Sequence, residues 1–188
     1  MSPILTGIVA SGISGHLTPP YDGPYGAYDS LATVTVGTAV SSISFAGIPS
    51  GYKHLQIRGI GRSSATSSPI FLQYNGDTTT TNYYNHALYG SGTTAYPQAE
   101  GTTYSQYVTY WPVAADTASA FGTVVIDVLD YQNTNKYKTT RSLGGFDTNG
   151  GGFAWLNSGL WKNTSAVTSI TLKPYLGNFV TYSQFALY

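Results

Sequence analysis

The 188-residue sequence predicts an all-β protein, a single antiparallel β-sandwich with the strand order of a jelly roll, preceded by an extended N-terminal arm. Three observations lead there. Turn signals recur roughly every 8–12 residues, the spacing of sandwiches and barrels. The stretches between them alternate apolar and polar, as half-buried strands do. No window of a dozen residues carries the 3.6-residue apolar stripe of a helix, so about eight to ten strands in two sheets are expected.

Residues 1–29 form the arm and residues 30–188 the sandwich domain. In ILTGIVASGISG (4–15) the apolar residues Ile4, Leu5, Ile8, Val9 and Ile13 lie among three glycines, with no Lys or Arg before them. The stretch is too short for a membrane helix and lacks the basic start of a secretory signal. Its apolar side chains are expected to anchor the chain to a partner. HLTPPYDGPYGAYD (16–29) holds three prolines, which fix φ and remove donors, so it is an extended connector.

From Ser30 the pattern turns to β. Ala32, Val34 and Val36 share one face, as do Ile43 and Phe45 before the turn Ile48-Pro49-Ser50-Gly51. In Lys53–Arg62, Leu55 and Ile57 point inward while His54, Gln56, Arg58 and Arg62 point outward. Pro69–Tyr74 is a short strand ended by Asn75-Gly76-Asp77, which needs positive φ. Thr78–Ala95 reads as one short strand between two loops. Thr103–Val113 alternates weakly around Tyr104, Val108, Tyr110 and Trp111. Ala120–Tyr131 is the strongest strand, with Val124, Ile126 and Val128 on one face and Val125 and Leu129 on the other. Gln132–Asn135 turns the chain and Lys136–Leu143 returns as the other half of a hairpin. After the turn DTNGGG (147–152), Phe153–Trp161 is a strand with a close approach or bulge at Gly159. Val167–Pro174 and Phe179–Leu187 close the domain.

The charge content narrows the functions available. Only 9% of residues are charged, with 8 Lys+Arg against 8 Asp+Glu, where soluble domains average about 25%. A surface of Ser, Thr, Asn, Gly and Tyr suits packing into an assembly or contact with neutral polar surfaces such as sugars. No run of Lys or Arg exists to neutralise a row of phosphates, so nucleic acid is not an expected partner. With no cysteine, disulfides, thiolate metal sites and Cys nucleophiles are excluded.

Catalytic chemistry finds little to work with. His16, His54 and His86 sit in no nucleophile–base pattern. Glu100 is the single glutamate, and Asp127 and Asp130 point to opposite faces, which leaves a poor supply for a glycosidase pair. Asp130 is expected instead to take a structural contact from Lys136 at the hairpin mouth. DTNGGG offers only Asp147 and Asn149 for calcium, so a structural turn is expected there. No catalytic residue, metal site or cofactor is assigned. Asn163-Thr164-Ser165 matches a glycosylation acceptor, a pattern common by chance. The aromatic residues carry the remaining signal: Trp111 with Tyr83, Tyr84 and Tyr89 are candidates for a platform on which sugar rings stack, whereas Trp155 and Trp161 are expected in the core or an interface.

Several long segments are familiar together. SISFAGIPSGYKHLQIRGIGRSS (42–64), LQYNGDTTTTNYYNHALYG (72–90), DVLDYQNTNKYKTTRSLGGFDTNGGG (127–152) and LWKNTSAVTSITLKPYLGNFVTYSQFALY (160–188) resemble segments of tailed-bacteriophage virion proteins of unassigned role. The resemblance covers most of residues 42–188. It implies a non-enzymatic virion component, a head decoration or fibre protein or part of a tail fibre. By analogy it implies a homotrimer that joins other virion proteins through the arm. A host-glycan-binding attachment module is the alternative, and a polysaccharide depolymerase a third, disfavoured by the shortage of carboxylates and histidines. No membrane insertion is expected.

Overall fold

Alternating side chains need two apolar layers to bury one face of each strand, and twelve strands among the described residues supply them. The computed structural model describes residues 30–66, 69–103, 105–148 and 150–188, with only the backbone at 100, 102 and 103. The arm, its candidate anchors Ile4, Leu5, Ile8, Val9 and Ile13, and Tyr104 and Asn149 lie outside the described residues. The strands are β1 (Ala32–Thr35), β2 (Ile43–Ala46), β3 (Leu55–Gly61), β4 (Pro69–Tyr74), β5 (Tyr83–Ser91), β6 (Thr94–Thr103), β7 (Gln106–Tyr110), β8 (Gly122–Leu129), β9 (Lys138–Asp147), β10 (Gly152–Trp161), β11 (Ser169–Pro174) and β12 (Gln184–Leu187).

They form two antiparallel sheets. The large one runs β1-β12-β3-β8-β9-β10-β5-β6 and the small one β2-β11-β4-β7. If the hairpins β5–β6 and β9–β10 are set aside, the other eight strands, renumbered in chain order, run 1-8-3-6 in one sheet and 2-7-4-5 in the other. The two hairpins therefore extend one sheet of a regular two-layer framework, and β7 packs across their inner face.

The core lies between the sheets. Leu55, Ile57, Val124, Ile126 and Val128 of the large sheet face Ile43, Phe45, Ile70, Leu72, Ile170 and Leu172 of the small one, all buried. Burying such a side chain is worth roughly 1.5–3 kcal/mol, and this set is the main source of stability. One corner is aromatic: Trp111 lies 5.7 Å from the Phe179 ring and 5.5 Å from Phe185. The indole fits because it lies over Gly61 and Gly122, where any Cβ would overlap it.

Most of the strand reading agrees with this architecture, and the differences have physical causes. Twelve strands replace the expected eight to ten. Thr78–Ala95 is not a short strand between loops, since β5 spans nine residues and pairs along its length with the ten-residue β6 through a turn at Gly92. β6 is a sheet edge carrying Pro97, and it has few apolar residues to reveal it. An edge strand tolerates proline because it need not donate on its free side.

The Asn75-Gly76 turn has the expected positive φ (51° and 66°), yet it carries the chain from the small sheet to the large one. Arg62, expected outward, is half-buried: its guanidinium donates to the carbonyls of Val113, Asp116, Thr117 and Ala120 and ties that loop to the sheet. Gly159 is the expected close approach, because the side chain of Gln106 occupies the space above it.

Candidate functional site

The β9–β10 and β5–β6 hairpins put most of the unusual chemistry in one half of the large sheet, β9-β10-β5-β6. Registered pairing lets its two faces be read row by row. On the inner face, one row crosses Val124, Gly144, Trp155, Tyr89 and Tyr96. The rings stack: Tyr96 to Tyr89 at 5.1 Å and Tyr89 to Trp155 at 4.6 Å, with interplanar angles of 22° and 16°. Tyr110 of β7 continues the cluster at 4.9 Å from Trp155 and 5.3 Å from Phe153. Trp155 is buried at one end, whereas Tyr96 is 41% exposed at the other.

The outer face has the opposite character. Its central row reads Val125, Leu143, Leu156, Leu88 and Pro97 across β8, β9, β10, β5 and β6. Val125, Leu143, Leu156 and Leu88 are 38–61% exposed. Single exposed apolar residues are ordinary, but four on adjacent strands form a continuous ridge. On one side of it lies a polar row of Asp127, Arg141, Ser158 and His86. On the other lie Thr123, Gly145, Ala154, Gly90 and Ala95, four of them glycine or alanine. A concavity of about 370 Å³ opens beside these small residues, lined by Gly90, Asp147, Gly152 and Ala154 among others. A second, of about 310 Å³, lies on the outer face of β1, β12 and β3, where Arg58 sits 4.9 Å over the Tyr188 ring.

The four residues expected to form a glycan platform do not share a surface. Trp111 is 1% exposed and Tyr83 is fully buried, so both rings serve the core. Two causes were not visible in the local sequence: glycines on β3 and β8 make room for Trp111, and the Tyr83 hydroxyl is tied to the Asp77 carbonyl at 3.0 Å. Tyr84 lies on the outer face with its ring covering Gly101, and Tyr89 is sandwiched on the inner face. Trp155 and Trp161 are buried as expected. Tyr96 and the leucine row were missed. Leu88, Leu143 and Leu156 sit singly in three separate segments, and only strand register brings them together.

Several polar groups are tied into the framework. Asp77 accepts from the Trp161 indole at 2.7 Å, from the Asn82 amide at 2.8 Å and from the Thr79 backbone at 2.8 Å. Burial alone would raise its carboxyl; the hydrogen bonds from Asn82, Trp161 and Thr79 outweigh it and hold the pKa at about 2. Because the folded-state value lies below the unfolded one, this stabilisation is complete above about pH 4 and is lost as pH falls through about 2. In Asp77→Asn, the loss of stability between pH 4 and pH 2, followed by Trp fluorescence in urea titrations, is expected to be shallower than in the parent. An unchanged slope would show that other carboxylates carry it.

Lys138 is fully buried between Trp161 and the hairpin turn. Its ammonium donates to the carbonyls of Asn133 (2.6 Å), Lys136 (3.1 Å) and Thr164 (3.0 Å), while burial and then the nearby Lys136 charge press its pKa down. Asp130 bonds Lys136 at the hairpin mouth, as expected, with Lys53 3.6 Å away. Tyr74 bonds Thr140 in the core, and burial pushes its hydroxyl far above its ordinary range. Asn85, Gln106 and Asn157 are buried amides on the inner face; Asn157 donates to the Tyr107 carbonyl at 2.8 Å. Asn163 accepts from the Ser165 backbone at 2.8 Å, a local turn that accounts for the Asn-Thr-Ser motif structurally.

Among the described residues, no group of three or more His, Asp or Glu is placed to hold a metal, and no helix is long and apolar enough to cross a membrane. No family model matches the chain, and neither a curated protein nor a solved structure matches it. The geometry therefore stands on its own, as two exposed surfaces on a β scaffold.

Proposed function

We propose that the chain is a non-enzymatic structural component of a tailed-phage particle, displayed on the virion surface and joined to other virion proteins through residues 1–29. In this reading the 1-8-3-6 and 2-7-4-5 strand orders are a jelly roll into which two hairpins have been inserted. The observation that carries the reading is the exposed leucine row on a surface with so few charges. Apolar rows of this kind are covered in stable assemblies, and a surface with 9% charged residues offers little repulsion between copies. The resemblance of most of residues 42–188 to virion proteins supplies the setting.

Tyr96 favours a second reading, a host-glycan-binding attachment module. An exposed ring stacked on a buried aromatic row is a rigid platform for a sugar face. The two readings are compatible, because virion surface proteins both cover and recognise. The test of the first is incorporation: purified particles contain the full chain in a fixed copy number, while a chain lacking residues 1–29 folds but stays in the unbound fraction.

A further inference from the structure

The outer face of the large sheet carries its own complement. On β9 the outward residues read Arg141, Leu143, Gly145 and Asp147; on β10 they read Ser158, Leu156, Ala154 and Gly152; on β5 they read His86, Leu88 and Gly90. Gly144, Trp155 and Tyr89 lie in one registered row at the centre of these series. A twofold axis lying parallel to that row, above the outer face, sends each strand onto its own copy with direction reversed.

Under that operation each leucine of the ridge meets a glycine or an alanine. Leu143 faces Gly145 of the second copy, Leu156 faces Ala154, Leu88 faces Gly90 and Val125 faces Thr123. At the margin, Arg141 faces Asp147. Side chains of two facing sheets interdigitate across about 10 Å, so a leucine ridge against a row of glycine and alanine is the shape that such packing needs. Gly90 and Ala154, which the opposing Leu88 and Leu156 would meet, line the concavity beside the ridge.

We propose that this face is an isologous twofold interface between two copies of the chain, with the ridge of each seated in the small-residue groove of the other. Shape and charge point to a second copy because the same rotation matches both, pairing ridge with groove and Arg141 with Asp147. The area is adequate. Five strands at about 4.8 Å and rows spanning six residues at about 3.4 Å cover on the order of 400–500 Å² in plan. Side-chain relief brings this toward the roughly 800 Å² of accessible surface per partner found in specific interfaces. The inference does not rest on the virion reading, and it adds a twofold contact to the trimer which that resemblance implies.

The test is sedimentation velocity of the full chain over a range of concentrations, with three variants. The parent is expected to show a reversible twofold association. Leu143→Glu is expected to weaken it at least tenfold while leaving the thermal midpoint close to the parent value. Gly90→Val is also expected to weaken it, because it fills the groove; a Cβ there meets open space in the free chain, so folding is unaffected. General apolar adhesion would instead be strengthened by the added valine. Arg141→Glu is expected to weaken association, and Arg141→Glu with Asp147→Arg to recover most of the loss. A monomer at every concentration, a trimer indifferent to Leu143→Glu, a Gly90→Val chain that associates more tightly, or a charge swap no better than its single variant would each overturn the proposal.

Discussion

Replacing Trp111 with alanine is expected to cost about 3–5 kcal/mol of folding stability, the range for deleting a fully buried aromatic side chain from a packed core. The indole touches Phe179 and Phe185 and covers Gly61 and Gly122, and all four belong to the corner where β3, β8 and β12 meet the loop after β7. Neither glycine can fill the space, so the cavity collapses poorly and the cost belongs at the upper end. Equilibrium urea unfolding, with the midpoint and slope fitted together, measures it. A loss under 1 kcal/mol would mean that the corner repacks. This result bears on recognition as well. A Trp111→Ala chain that fails to bind a glycan has lost its core, so a glycan test belongs on Tyr96, whose ring is exposed.

Gly145→Ala is expected to cost about 3 kcal/mol or more, with the damage centred on the β9–β10 hairpin. Gly145 has φ +146°, a conformation that L side chains rarely adopt, and a Cβ there would overlap the Phe153 carbonyl oxygen on β10. The obstruction is backbone, so no side-chain rotation relieves it. Gly152, across the same ladder, has φ +144° and faces the Phe146 carbonyl in the same way. Gly90→Ala is the control, since its Cβ meets nothing within 4 Å, and it should change stability by less than about 0.5 kcal/mol. Amide exchange should show faster opening at 143–146 and 153–155 in the Gly145 variant and no change in the control. Equal behaviour of the two would remove the backbone argument.

Much of the sandwich was legible in the sequence. The strictly alternating segments around Leu55–Ile57 and Val124–Val128 announce both strand and face, because a period of two has one meaning when one side is buried. The β8–β9 hairpin and its Asp130–Lys136 contact were readable for the same reason, being local. Long-range geometry was not. β6 hides because an edge strand needs neither a continuous apolar face nor freedom from proline. Trp111 and Tyr83 were misplaced because burial of an aromatic depends on glycines and carbonyls outside its own strand rather than on the strand's own pattern. The leucine ridge lies outside the reach of any single-window reading: Leu88, Leu143 and Leu156 are aligned by two strand registers, β9 with β10 and β10 with β5.

The most direct test of the central claim, a particle component that works through its surfaces, is the copy number in purified particles of the full chain and of a chain lacking residues 1–29. A fixed, repeated number of full-length chains is expected on each particle, labelled from outside by an antibody to the domain. Almost none of the shortened chain is expected there, although that chain is folded and soluble in the same lysate. Particles that carry no full-length chain, or that take up the shortened chain at full occupancy, would contradict it.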